Sequence, residues 1–317
     1  MHRVADQIVE ILEKAGVKRI YGIVGDSLNP VTDALRRRKT IEWIHVRHEE
    51  VAAFAASAEA QLSGNLAVCC GSSGPGNLHL INGLFDAHRN HAPVLAIASH
   101  IPQSQVGMEY FQATHPEQLF KECSAYAELV SEASQAPCIL MSAIQHAWAR
   151  RDVGVVVLPG DIADAPAEMK NLVHPPSYTR ENVVPEHESV SLLARMLDDH
   201  RRITFFCGAG CAGAEDKVVR LAHRLKAPIA YTWKGKDYFE HDNPLGIGMT
   251  GLLGWGDAYK AMHESDMLVL WGTDFPYFNF IPTKPEIVQI DRRGEVLGRR
   301  CRLDLGICGD VSVTAEA

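Results

Sequence analysis

The chain has 317 residues, 46% hydrophobic and 22% charged, with 31 basic against 39 acidic side chains and a net charge of −8. That length predicts about two domains, each able to bury a core without disulfides. The acidic balance argues against a nucleic-acid binder or a ligand of anionic membranes; the largest basic cluster, Arg36–Lys39, reads as the solvated end of a helix.

In chain order, helical spacing over Val4–Ala15 precedes a strand-like run, Arg19–Val24. Helix Glu49–Leu62, strand Leu66–Cys70, helix Asn77–Asn90, strand Val94–Ala98, helix Ala136–Arg150 and strand Val153–Leu158 follow. Continuous apolar strands separated by helices imply a parallel sheet covered on both faces. This is a first domain over 1–165. Residues 166–186 read as a linker, polar and punctuated by Pro166, His174–Pro175–Pro176 and Val184–Pro185. A second series fills 187–317: helix Glu186–His200, strand Ile203–Cys207, helix Ala212–Leu225, strand Pro228–Tyr231, helix Trp255–Glu264 and strands Met267–Trp271 and Ile287–Ile290. Both halves are read as flavodoxin/Rossmann-like three-layer α/β domains with mainly parallel sheets. A last helix is expected after Gly309–Asp310, and the second domain is read as clipped there. No apolar run reaches the ~20 residues of a membrane span, and MHRVADQ is no signal peptide. The eight cysteines form no CxxC pair, so zinc is not expected; apolar neighbours read as buried, reduced thiols of a cytoplasmic protein.

Two runs in the first half carry chemistry. Arg47-His48-Glu49-Glu50 leads into the Ala-rich Val51–Ala56. By itself this suits acids at a helix N-terminus, favoured by the macrodipole. Gly71-Ser72-Ser73-Gly74-Pro75-Gly76-Asn77 joins a strand to a helix. It suits either a tight turn or backbone amides turned to a ligand; it lacks the Lys of a phosphate loop. In the second half, Gly208-Ala209-Gly210 follows a strand. Trp233–Lys236, Gly248–Gly254 and Gly272–Tyr277 follow, then Gln289-Ile290-Asp291 and Gly309-Asp310. Glycine turns suit a diphosphate, and an acid at a strand end suits ribose hydroxyls.

Together, the runs GIVGDSLNP (22–30), RHEEVAAFAA (47–56), GSSGPGNLHLINGLFDAHRNHAPVLAI (71–97), YFQATHPEQLF (110–120) and VVVLPGD (155–161) resemble the pyrimidine-binding domain of thiamine-diphosphate enzymes. The resemblance covers nearly the whole chain. It is greatest to the pyruvate oxidase branch, and within it to quinone-dependent pyruvate dehydrogenases; an oxygen- and phosphate-using oxidase and acetolactate synthase are the rivals. The resemblance implies thiamine diphosphate, FAD and Mg2+ as cofactors, pyruvate as substrate, a quinone as acceptor and a homo-oligomer. It implies that Glu49 shares a proton with N1′ of the aminopyrimidine. Val24, Gly25 and Asn77 are implied near the cofactor, and Phe111 and Gln112 along the substrate pocket. For FAD it implies Gly208, Gly210, Lys234, Gly235, Lys236, Thr250, Gly251, Leu252, Leu253, Thr273, Asp274, Phe275, Pro276, Tyr277, Asp291 and Asp310. The family's Gly-Asp-Gly…Asn motif for Mg2+ does not occur in these 317 residues, so no metal ligand is expected here, and turnover by this chain alone is not expected. Membrane contact is expected only through a C-terminal segment that this sequence lacks. A cofactor-free flavin-domain remnant is the non-enzymatic alternative.

Overall fold

The computed structural model describes residues 2–167, 178–179, 181–254 and 256–317. Most of the expected linker, including His174–Pro175–Pro176, lies outside the described residues, as does Trp255 at the head of an expected helix. The chain divides into two compact units, Met1–Arg180 and Glu181–Ala317. Among the described residues no helix is long and apolar enough to cross a membrane.

The first unit holds six parallel strands: β1 (Arg19–Gly22), β2 (Glu42–His45), β3 (Ala67–Gly71), β4 (Val94–His100), β5 (Tyr126–Leu129) and β6 (Val153–Pro159). Their spatial order is β2-β1-β3-β4-β6-β5. The helices are α1 (Val4–Lys14), α2 (Asn29–Arg38), α3 (Glu49–Ser63), α4 (Pro75–Asn90), α5 (Pro116–Leu119), α6 (Ala136–Arg150) and α7 (Gly160–Asp164). Strand side chains alternate between two cores. Val68 and Cys70 of β3, with Leu95 and Ile97 of β4, meet α1, α2 and α6. Cys69, Ala96 and Val155 meet α3 and α4. That second core is built from small residues. Ala52, Ala53, Ala56 and Ala60 line α3, and Gly83 of α4 lies so close that a Cβ there would come within 2.5 Å of Ala53 Cβ. Leu80 and Leu84 fill the remaining space, each burial being worth about 1.5–3 kcal/mol.

The second unit repeats the architecture with β7 (Ile203–Cys207), β8 (Ile229–Tyr231), β9 (Gly246–Met249), β10 (Met267–Trp271), β11 (Glu286–Asp291) and β12 (Leu305–Cys308). All pairs are parallel, in the order β12-β11-β10-β7-β8-β9. Its helices are α8 (His187–Asp199), α9 (Glu215–Leu225), α10 (Lys236–Phe239), α11 (Gly256–Glu264) and α12 (Val311–Glu316). One core joins Phe205, Trp271 and Ile290 to Val218 and Val311; the other joins Phe206, Leu270 and Phe275 to Ala258 and Met262.

The last helix expected after Gly309–Asp310 is α12, packed through Val311 and Thr314. One expectation is corrected. Of the eight thiols, Cys138 and Cys308 are exposed, because one stands on the outer face of α6 and the other on the edge strand β12.

Candidate functional site

In a parallel sheet the connections leave a crevice where successive crossovers depart in opposite directions, at the carboxyl ends of the strands. In the first unit β1 leads outward to β2, and β3 leads the other way to β4, so the crevice lies between β1 and β3. The Val24–Ser27 loop and the Gly71–Gly76 turn flank it. Serines stitch the two together. Ser27 Oγ lies 3.0 Å from Ser72 Oγ and accepts the Ser73 backbone N–H at 3.1 Å, while Ser99 Oγ donates to Ser27 O at 2.7 Å. Gly25 is packed against Ser72 with no room for a Cβ, and Val24 is half exposed beside it.

Glu49 is the first residue of α3. His48 caps the helix, its ring Nδ1 accepting the Glu50 backbone N–H at 3.3 Å. An imidazole thus replaces the usual capping oxygen. Glu49 is 7% exposed. Its Oε2 lies 3.0 Å from His79 Nδ1 on α4, and its Oε1 faces Gly76, where a Cβ would stand 3.1 Å away. The His48 ring stacks on His79 at 4.2 Å. Glu50, next along α3, turns instead to Asn82 of α4. The two acids are about 100° apart on the helix, and each has its own partner.

The other expected residues divide. Gln112 joins the site by donating Nε2 to Ser73 O at 3.2 Å, but Phe111 is 82% exposed, its ring tilted beside Tyr110. Asn77 is fully buried, donating Nδ2 to Ser99 O at 2.7 Å, with Oδ1 lacking a hydrogen-bond partner among the described residues. It braces the turn from behind. His79, Ser27, Ser72 and Ser99 were not singled out from the sequence. His79 lies within the GPGNLHL run, but its pairing with a residue thirty positions earlier has no local signature.

In the second unit the crevice lies between β7 and β10. Here Gly208 and Gly210 have another use. Their amides donate to Trp271 O and Gly272 O, both at 2.9 Å, and a Cβ on Gly210 would stand 2.6 Å from Gly272 Cα. These glycines let two backbones touch, so their N–H groups are not free for a diphosphate. Lys234–Lys236 follows β8, Thr250–Leu253 follows β9, Thr273–Tyr277 follows β10, and Asp291 and Asp310 end or follow β11 and β12. All therefore share the carboxyl edge of one parallel sheet. Gly235 donates its N–H to Thr232 Oγ1 at 3.1 Å, and Lys236 pairs with Glu240 at 2.9 Å. Gly251, at φ +108, has no room for a Cβ beside the Phe275 ring, and Phe275 packs edge-on against Tyr277 and Phe206. Leu252, Leu253, Pro276 and Tyr277 remain exposed. Asp274 is held by Arg299 at 3.0 Å and Arg300 at 2.9 Å. Asp291 is buried, and that burial raises its carboxyl above the ordinary range although it accepts the Arg293 backbone N–H. Asp310 accepts the Val183 N–H at 2.7 Å and stands 3.7 Å from Arg292.

Comparison with known proteins agrees with this fold. Residues 2–122 match the N-terminal TPP-binding domain of thiamine pyrophosphate enzymes, and residues 190–317 match the central domain of the same enzymes. An uncharacterized 42.6 kDa protein of Pseudomonas amyloderamosa, from the isoamylase 3′ region, is 57% identical over 99% of this chain and 80% of its own length. A putative thiamine pyrophosphate-containing protein of Bacillus subtilis, YdaP, is 35% identical over 98% of this chain and 54% of its own. Pyruvate oxidase of Lactiplantibacillus plantarum is 32% identical over 98% of this chain and 52% of its own, so the chain spans about half the length of these last two relatives. The chain belongs to the thiamine pyrophosphate enzyme family, of which it carries the N-terminal and central domains.

Proposed function

We propose that this chain is the pyrimidine-holding and flavin-holding part of an enzyme that oxidatively decarboxylates pyruvate to acetate and CO2 and passes the electrons to a quinone. The observation that carries the reading is Glu49, a buried carboxylate at a crevice between parallel strands, with Oε2 held by His79 and Oε1 lying against Gly76. The absence of a side chain at Gly76 lets a flat aminopyrimidine come close to Glu49, and Oε1 suits a proton shared with its ring nitrogen. When bound, thiamine diphosphate supplies a carbon nucleophile and an electron sink for loss of CO2. This chain's residues do the rest on the pyrimidine side. Glu49 holds and releases a proton at Oε1, the Val24–Gly25 loop walls the crevice, and the serine stitching keeps it narrow. Gln112 is placed by Ser73 to offer its amide to the substrate's oxygen. Mg2+ takes oxygen ligands in octahedral geometry and is not assigned to residues of this chain.

FAD is proposed for the second unit. Exposed Leu252, Leu253 and Tyr277, the cations Lys234 and Lys236, and the strand-end acid Asp291 along one sheet edge support an extended, partly aromatic, anionic ligand. The pyruvate oxidase relative supports pyruvate as substrate; the runs FDAHRNHAPVLAI and TDFPY support the quinone branch over the oxygen-using oxidase. Assembly of several copies is part of the proposal. The test is titration of the purified chain with FAD, followed by flavin absorbance and fluorescence, and with thiamine, followed by NMR. Uptake of both is expected. A folded chain that takes up neither ends the reading.

A further inference from the structure

α3 and α4 run side by side and exchange polar bridges at three levels: Glu49–His79, Glu50–Asn82 and Ser57–Asp86. Only the first has a buried acid as acceptor and a donor ring that is itself held in place. The tautomers in it are fixed by the neighbours. A backbone N–H can only donate, so His48 Nδ1 accepts from Glu50, and a neutral His48 carries its proton on Nε2. A carboxyl oxygen that carries no proton can only accept, and with the exchangeable proton of Glu49 placed on Oε1 it is Oε2 that accepts, so His79 Nδ1 is the donor. The stack, 4.2 Å between centroids and 26° between planes, therefore pairs an imidazole protonated at Nε2 with one protonated at Nδ1.

These residues also bring possible metal-ligand atoms within 4.8 Å of one another. Two stacked rings send their in-plane lone pairs alongside each other, whereas one ion needs lone pairs that converge. The arrangement is better suited to aligning a carboxylate.

We propose that His79 is the positioning residue for Glu49. The terminal torsion of a glutamate is broad and roughly two-fold. A single fixed N–H on Oε2 removes that freedom and leaves Oε1 as the oxygen turned to Gly76 and away from His79. His48 in turn sets the plane of the His79 ring. The proposal rests on the reading of Glu49 as the pyrimidine acid.

The experiment uses the full chain labelled with 15N in histidine and 13C at the glutamate carboxyl. A long-range 1H–15N correlation on the wild-type chain should show His79 protonated at Nδ1; a bare Nδ1 overturns the proposal. The second arm titrates the 4-amino-2-methylpyrimidine fragment of thiamine, read from the Glu49 carboxyl shift. His79→Phe keeps a stacking ring without the donor and should bind about tenfold more weakly. His79→Asn, whose amide nitrogen stands near the place of Nδ1, should stay within about threefold of wild type. Equal affinity of wild type and His79→Phe overturns the positioning role while leaving Glu49 as the pyrimidine acid. No binding by the folded wild-type chain removes that reading and the role of His79 with it. Should His79→Phe fail to fold, the tautomer measurement on the wild-type chain still decides.

Discussion

Glu49 and Glu50 are neighbours in sequence with separate surroundings: a buried crevice beside His79 for one, a half-exposed bridge to Asn82 for the other. With thiamine diphosphate bound, Glu49→Gln should slow exchange of its thiazolium C2 proton by about 10²–10⁴-fold, the usual reach of acid–base catalysis. Glu50→Gln should do far less, and equal losses would dissolve the distinction. Asp291 makes a pH prediction. Burial raises its carboxyl in the folded state, so folding favours the protonated form. The stability this confers is fully present below the unfolded-state value and is lost as pH rises through the raised folded one. Asp291→Asn keeps an acceptor for the Arg293 N–H and should flatten that slope in urea denaturation run across the acid range; unchanged slopes would show that Asp291 does not carry it. The acid positions were legible in the sequence because they sit at element boundaries. Their partners were not, since Asp310 meets Val183 and Glu49 meets His79 across long stretches of chain.

At the level of elements, the sequence discloses the four inner strands of each sheet and misses β2, β5, β9 and β12, the edges of both sheets. The reason is burial. An inner parallel strand is apolar on both faces and reads as a continuous run, as in Val94–Ala98. An edge strand is short and half solvated, as in Glu42-Trp43-Ile44-His45 or Gly246-Ile247-Gly248-Met249, and periodicity does not separate it from a loop. Helix contacts were legible only as composition: the Ala-rich face of α3 announced close packing without naming Gly83 as its partner. Gly83→Ala would press a methyl to 2.5 Å from Ala53 Cβ and 2.7 Å from the Phe54 backbone nitrogen. Overpacking of this kind costs about 1–3 kcal/mol. Chemical denaturation of the variant should show that loss in the first unit, and an unchanged midpoint would mean that α3 and α4 part freely.

For the whole chain, each unit has its own sheet with a core on both faces. The thiols report on them separately. Burial pushes Cys69 and Cys123 up to about 12, and Cys70 and Cys207 are raised by burial as well. Thiolate, not thiol, is the reactive species. A thiol reagent should therefore label exposed Cys138 and Cys308 quickly, one in each unit, and spare Cys69, Cys70, Cys123, Cys207 and Cys211. With rising denaturant, the group at 69, 70 and 123 and the pair at 207 and 211 should become reactive at midpoints set by their own units. Fast labelling of the buried group in native buffer would contradict the packing described.

The loop after β9 reaches the loop after β10 although β7 and β8 stand between their strands, a distance of roughly 14 Å. β9 is a margin of the sheet, held by one ladder with a register shift at Ile229/Ala230. A ligand lying along Thr250–Leu253 and Thr273–Tyr277 would clasp this edge strand to the centre. Local opening of a margin is governed by how few bonds must break. Flavin uptake should therefore slow amide hydrogen exchange most in β9, where protection is weakest to begin with, and little in β10, which is already bonded on both sides.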